Sequence, residues 1–335
     1  MFKMYKILFF NTLIMGVLVT VSSQSWMSMW MGLEINLLSI IPLMASPKNM
    51  YSSEAALKYF ISQALASMIL MFSILMMMIM VEFIPPNLNP FLLLLDSSLL
   101  IKLGMAPFHF WFPEVMEGLS WGNSSIILTI QKIAPMTMIM NNPMNQLFFS
   151  LIIVISLIIS TTMSFNQTSL RKILTFSSIN HLSWMTALML QSSPAWTVYL
   201  SIYILLNMNI IFMFKMTNSF QFQQMFKMMK NKVLKLSFSI NFLSLGGVPP
   251  FIGFLPKWLA VNFLVDNKLM FLNFMLIMFT LVLLFVYTQM ILSTMVINST
   301  EQAPLINYTP SYIINLANLI NLGLIVLAPM MFIIE

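Results

Sequence analysis

Apolar runs of about 20 residues, the length that crosses a bilayer's hydrocarbon core as a helix, follow one another along almost the whole chain. In lipid only a structure that satisfies every backbone donor and acceptor internally is viable, so each run reads as an α-helix. Eleven such helices fit, near residues 4–22, 26–45, 55–82, 91–109, 124–140, 147–164, 170–190, 195–215, 236–264, 270–295 and 312–333. The connections are short and polar or proline-bearing, as at 46–53, 85–90, 141–143 and 192–194, and the one long polar segment is 218–235. Composition agrees, with 7% charged residues against about 25% in a soluble domain. So few charges cannot coat a water-facing surface. The expectation is an all-α polytopic membrane protein forming one membrane domain over residues 1–335, which begins directly with its first membrane helix and has no cleavable signal.

The basic residues give the helices a direction. With eleven helices, the N-terminus and every second connection share one side. That side holds eleven of the fifteen Lys and Arg residues, from Lys3 and Lys6 through Arg171 and Lys172 to Lys235. The opposite side holds Lys268 alone, and Lys102, Lys132 and Lys257 fall inside helices. An excess of this size is the positive-inside pattern. It puts the N-terminus on the side of synthesis and the C-terminus across the membrane. A miscounted helix would scatter the charges. The net charge of +6 points to no nucleic-acid partner, because the basic residues are not interleaved with aromatics in any one patch.

Two helices carry breakers. One runs into Gly104-Met105-Ala106-Pro107, followed by Phe108 to Pro113, and the other is interrupted at Gly246-Gly247-Val248-Pro249-Pro250, with Gly253 and Pro256 soon after. Proline removes a backbone donor and clashes with the preceding turn, so both helices are expected to break at these points. The breaks lie five helices apart, and a repeat with an odd number of helices must enter the membrane in opposite senses. The reading is two inverted five-helix repeats, about 1–140 and 147–295, with an appended helix at 312–333. Paired broken segments in matching places of two halves are the pattern of secondary transporters.

Four ionisable residues sit well inside apolar helices: Glu34, Lys102, Lys132 and Lys257. A charge at mid-membrane costs about 2.5–3.5 kcal/mol on insertion scales, whereas an apolar residue gains about 0.3–0.6 kcal/mol. One such charge therefore cancels five or more apolar residues. Lys58, Lys215 and Lys268 lie near helix ends and can snorkel to the interface. Lys132, some 12 Å deep by helix rise, cannot do so easily. Desolvation favours a neutral ammonium and a nearby carboxylate favours the charged one, so moving one charge relative to another toggles proton binding. Ser98, Gln131, Ser178, Asn180, His181 and Ser244 are candidates to relay protons between such groups. His181 fits a hydrogen-bonded packing role equally well. Asp96 is expected at the interface, and Glu114 and Glu117 are expected to be solvated or to touch a neighbouring subunit.

The remaining chemistry is narrowed by absences. Without cysteine the chain has no disulfide, thiolate-bound iron–sulfur cluster or cysteine nucleophile. The two histidines, His109 and His181, are too far apart in sequence for an evident zinc or haem site, and no phosphate loop or GxGxxG stretch is present. Any redox cofactor would belong to a partner. Methionine fills gaps well, but packing does not require 36 of them. A mitochondrial code that reads an isoleucine codon as methionine would supply them.

Several stretches, in this order, resemble the chain 2 family of NADH–ubiquinone oxidoreductase, the antiporter-like subunits in the membrane arm of respiratory complex I. They are Met31 to Asn36, Lys102 to Glu114, Gln131 to Pro135, Asn166 to Lys172, Ser177 to His181, and Gly246 to Trp258. The resemblance implies the short animal form, which lacks three helices of the bacterial fourteen, in the mitochondrial inner membrane with the N-terminus in the matrix. It implies that Glu34, Lys102, Lys132 and Lys257 form a proton-translocation axis. It further implies that NADH, FMN, iron–sulfur clusters and ubiquinone are bound by other subunits, and that the partners are other membrane-arm and accessory subunits and lipids such as cardiolipin. A cation/proton antiporter subunit without redox coupling is a second reading, disfavoured by the short N-terminus and the methionine bias. A scaffold whose buried charges only fix helix register is a third, disfavoured by four such charges.

Overall fold

In the computed structural model, residues 4–46, 49–83, 89–190, 193–228 and 232–296 are described. The helix expected at 312–333 lies outside them, as does most of the 85–90 connection. Fourteen helices run through the described residues: α1 (Met4–Ser22), α2 (Trp26–Met44), α3 (Met50–Phe83), α4 (Asn89–Leu103), α5 (Trp111–Gly118), α6 (Trp121–Leu128), α7 (Ile130–Met140), α8 (Gln146–Ser164), α9 (Leu170–Met189), α10 (Ser193–Thr217), α11 (Phe222–Met228), α12 (Lys232–Gly246), α13 (Phe254–Asp266) and α14 (Met270–Val296). Among the same residues, β pairing is limited to one isolated bridge, Ser169 with Gln221.

Six of these helices, α1, α2, α3, α8, α10 and α14, are long and apolar enough to cross a membrane by length and composition. The interrupted helices divide into pieces that are too short. The run at 91–109 ends as α4 at Leu103, and the segment after it, expected as a connection, folds into α5. The run at 124–140 divides at Thr129, whose backbone (φ −119°, ψ −76°) departs from regular helix angles. The polar segment 218–235 contains α11, where Gln224 Oε1 accepts the otherwise orphan N–H groups of Phe220 and Gln221. α3 starts earlier than the apolar run because Asn49 Oδ1 accepts the Tyr51 N–H at 3.2 Å.

The chain divides into two compact units, Met1–Ile152 and a second from Ile153 onward. Within the first, α1 packs along α2, α3 packs on α4 and α5, and α7 touches α1, α2, α4 and α6. The α1–α2 approach depends on two glycines. A Cβ on Gly32 would lie 2.5 Å from Thr20 Cγ2 and 2.9 Å from the Gly16 carbonyl oxygen. In the second unit, α9 packs against α10, α13 and α14, and nearly every one of its residues is buried. That burial explains how a helix containing Ser177, Ser178, Asn180, His181 and Ser183 is tolerated: its neighbours, rather than lipid, face its polar groups. α1 is the reverse case, with Ile7, Leu8, Met15 and Leu18 exposed along its outer side.

Candidate functional site

The two breaks are built alike. α4 ends at Gly104 in the left-handed region (φ +70°), and α12 is followed by Gly247 (φ +78°). At the first, Gly104 N–H donates to the Ile101 carbonyl and Met105 N–H to Leu100. At the second, Gly247 N–H reaches Ser244 and Val248 N–H reaches Leu243. This pair of bonds is the Schellman ending, which satisfies carbonyls at a helix C-terminus and favours glycine in the left-handed position. The breaker is thus glycine, three residues ahead of Pro107 and Pro250, and not proline as expected. Leu100, Gly104, Pro107, Phe108 and Pro113 align without a gap with Leu243, Gly247, Pro250, Phe251 and Pro256. The next turn repeats too, with Phe108 N–H on the Met105 carbonyl and Phe251 N–H on that of Val248. This ungapped register could have been read from the sequence.

What the breaks hold differs. In the second unit Lys257, half-buried, reaches back from α13 and donates from Nζ to the carbonyls of Leu245 (3.1 Å) and Gly246 (2.8 Å). A cation there meets the negative end of the α12 dipole. Gly247 leaves room for it, since a Cβ at that position would be 2.7 Å from Lys257 Cδ. In the aligned register Glu114 takes the place of Lys257. Its carboxylate turns instead to Lys58 Nζ at 3.0 Å, and Glu54 holds the same ammonium at 2.9 Å. Lys58, expected to snorkel, is therefore ion-paired more than two turns into α3, while Glu114 and Glu117 are exposed. At the first break the Ile101 carbonyl takes a bond from Trp111 Nε1 (3.0 Å).

Lys102 stands in the last turn of α4, 8% exposed. It lines a cavity that leaves about 10 Å³ for the centre of a water molecule, close to the space of a single water. Across it a hydrogen-bonded chain crosses three helices. Tyr59 Oη donates to Gln131 Oε1 (3.2 Å), and Gln131 Nε2 donates to Asn36 Oδ1 (2.8 Å). Gln63 also lines the cavity, and its Nε2 is enclosed without a partner. Glu34 interacts electrostatically with Lys102 without a direct ion pair, and its Oε1 is enclosed without a hydrogen-bond partner. The structure thus gathers Glu34, Lys102 and Gln131 and adds Asn36, Tyr59 and Gln63, which sequence reasoning missed.

Lys132 is 2% exposed in the first turn of α7, and its amine lies 5.6 Å from the centroid of the Phe112 ring, within cation–π range. Phe112 belongs to α5, just past the first break, so Lys132 is packed on the interruption without lining the cavity. Asp96, expected at the interface, is 1% exposed and accepts a bond from Asn142 Nδ2 (3.0 Å). α3 and α7 pack against α4 and leave Asp96 enclosed.

In the second unit His181 Nδ1 pairs with Tyr199 Oη at 2.9 Å, and its ring lies 5.2 Å from that of Tyr203. Ser178 faces the Tyr203 hydroxyl, and Asn180 Nδ2 is enclosed without a partner. The hydroxyls of Ser98, Ser178 and Ser244 donate to the carbonyls of Leu95, Thr175 and Asn241, three residues back in their own helices. Each keeps an oxygen lone pair to accept with. Among the described residues no group of three His, Asp or Glu side chains could hold a metal ion.

Residues 23–284 match the family described as NADH:quinone oxidoreductase/Mrp antiporter, transmembrane. The NADH-ubiquinone oxidoreductase chain 2 of Anopheles gambiae is 44% identical over 99% of each chain. That of Locusta migratoria is 42% identical over 89% of this chain and 87% of its own, and that of Oryctolagus cuniculus 38% over 84% and 83%. A chain in the structure of respiratory complex I from Thermus thermophilus aligns over 97% of this chain and 78% of its own, with a TM-score of 0.85 at 22% identity. A chain of the Mrp complex from Dietzia sp. DQ12-45-1b covers 96% and 75%, with a TM-score of 0.77 at 13% identity. At those identities the structural likeness is one of fold, that of an antiporter-like multi-pass membrane protein, while the sequence matches are near full length and agree in name. The chain belongs to the NADH–ubiquinone oxidoreductase chain 2 family.

Proposed function

We propose that this chain is a proton-translocating core subunit in the membrane arm of respiratory complex I, where Glu34, Lys102, Lys132 and Lys257 bind and release protons in response to quinone reduction in other subunits. The observation that carries this is the pair of glycine-capped helix interruptions, one with Lys102 in the turn before it and the other with the Lys257 amine on its last carbonyls. A helix end exposes carbonyls whose partial negative charge stabilises an ammonium. At α12 the Lys257 amine already sits on two of them, so charging and discharging it changes how strongly the broken ends are tied. At α4 Lys102 lines a water-sized space bordered by the Tyr59–Gln131–Asn36 chain. A hydroxyl and amides can reorient as a proton arrives or leaves, and a carboxylate such as Glu34 brought nearer holds that proton on the amine. His181, with Tyr199, Ser178 and Asn180 nearby, is the corresponding polar group of the second unit.

The finer architecture belongs to the same reading. Eleven passes in two inverted five-helix repeats account for the basic asymmetry and for the shared register of the breaks. The chain would lie in the mitochondrial inner membrane, with its N-terminus in the matrix and its C-terminus facing the intermembrane space. Other membrane-arm and accessory subunits and lipids such as cardiolipin are its partners, and NADH, FMN, iron–sulfur clusters and ubiquinone stay with the other subunits. The test is Lys132→Met in the assembled complex. A pump component assembles and oxidises NADH but moves fewer protons per electron. Loss of the assembled complex on a native gel would favour a scaffold role, and unchanged assembly with unchanged stoichiometry would make Lys132 a bystander.

A further inference from the structure

Among the described residues of the first unit, Asp96 is the buried carboxyl that the lysine scheme leaves unused, and its surroundings are those of an acid and not of an anion. The described ionisable groups on α4 and on the helices packed most closely against it, α3 and α7, are Lys102, Tyr51, Glu54, Lys58, Tyr59 and Lys132. None lies within ion-pair distance of Asp96. Its hydrogen bond comes from a neutral amide, the Asn142 Nδ2. A carboxylate enclosed with no cation and one amide donor is strongly disfavoured, and such groups take up a proton instead. The second observation is on the partner. Asn142 is itself buried, at 5% exposure, and its Oδ1 is enclosed with no donor reaching it. An acceptor left bare beside a carboxyl is what a carboxylic acid O–H would fill.

We infer that Asp96 and Asn142 form a buried proton-holding site, in which a protonated Asp96 donates to Asn142 Oδ1 while accepting from Asn142 Nδ2. The acid–amide ring satisfies both side chains at once and leaves no charge inside the protein. It lies one and two-thirds turns from Lys102 along α4, roughly 9 Å by helix rise, near the end of α7. Its proton state is independent of whether the lysines pump, so the two readings can fail separately.

The experiment is infrared difference spectroscopy on the purified complex at neutral pH, wild type minus Asp96→Asn. The expected result is one carbonyl stretch of a protonated carboxyl that moves down in D2O and is lost in the variant. The paired stretches of a carboxylate in its place, or no protonated band, overturn the site. Should Asp96→Asn fail to assemble, Asn142→Leu leaves the carboxyl in place. Its C=O band then moves to higher frequency as the amide donor is lost, and an unmoved band is the overturning result.

Discussion

Two carbonyls at the end of α12 share one amine. Leu245 and Gly246 are buried, and the intrahelical bonds that would use their oxygens stop at the break. A buried acceptor left without a donor costs about 1–3 kcal/mol, so the Lys257 ammonium is structural as well as titratable. Lys257→Met should lower the stability of the second unit by about that amount, read as an earlier thermal midpoint of the complex along with reduced proton movement. Gly247→Ala should act in the same direction without touching the lysine. Alanine costs about 1–2 kcal/mol in the left-handed region, and its Cβ would push Lys257 Cδ from its place. If Gly247→Ala leaves both midpoint and proton movement unchanged, the amine–carbonyl contact does not hold the break. The first break has no such contact: its Ile101 carbonyl is served by Trp111, which leaves Lys102 to the cavity.

Between elements, the close pair α1–α2 carries the site by proxy. Glu34 and Asn36 ride on α2, and Gly32 sets how near α2 comes to α1. Gly32→Val places two methyl groups where Thr20 and the Gly16 backbone already stand, and overpacking of that kind costs about 1–3 kcal/mol. The expected outcome is a lower thermal midpoint and, through displaced Asn36, a weaker bond to Gln131 and fewer protons per electron. Gly122→Ala, where nothing lies within 4 Å of the added Cβ, is the control that should change neither. α1, α2, α8 and α9 were legible to within a residue or two, because an apolar run bounded by polar residues has one way to lie in lipid. The division at Thr129 was not, since no glycine or proline marks it. α5 was hidden by Pro113, which a first helical turn tolerates because its missing N–H would be unsatisfied there anyway. The lysines could be found because a charge inside an apolar run demands a reason. Asn36 and Tyr59 could not, because each meets Gln131 across 95 and 72 residues of chain, and a neutral polar side chain in a helix commonly bonds its own backbone.

At the scale of the whole molecule, each unit carries a glycine-capped break of the same register but a different set of charges. The first has Glu34, Lys102 and Lys132, and the second has Lys257 with the His181–Tyr199 pair. Two units so built could each move protons alone, or they could be stages of one relay. Non-additivity separates these possibilities, because residues that act as one unit lose little more together than singly, whereas independent sites add their effects in free energy. A positioned proton-transfer group contributes roughly 10²–10⁴-fold to the step it serves, so in a single relay Lys102→Met and Lys257→Met should each slow proton-coupled NADH oxidation by at least about tenfold. In a single relay the double variant should be no slower than the slower single one. In two independent paths the complex would keep part of its proton movement in each single variant and lose nearly all of it in the double. The cap is shared but the lysine stands before the break in one unit and after it in the other, so the two sites are unlike, as stages of one sequence would be. The double variant is therefore expected to match the slower single one, and a multiplicative loss would assign each unit a proton of its own.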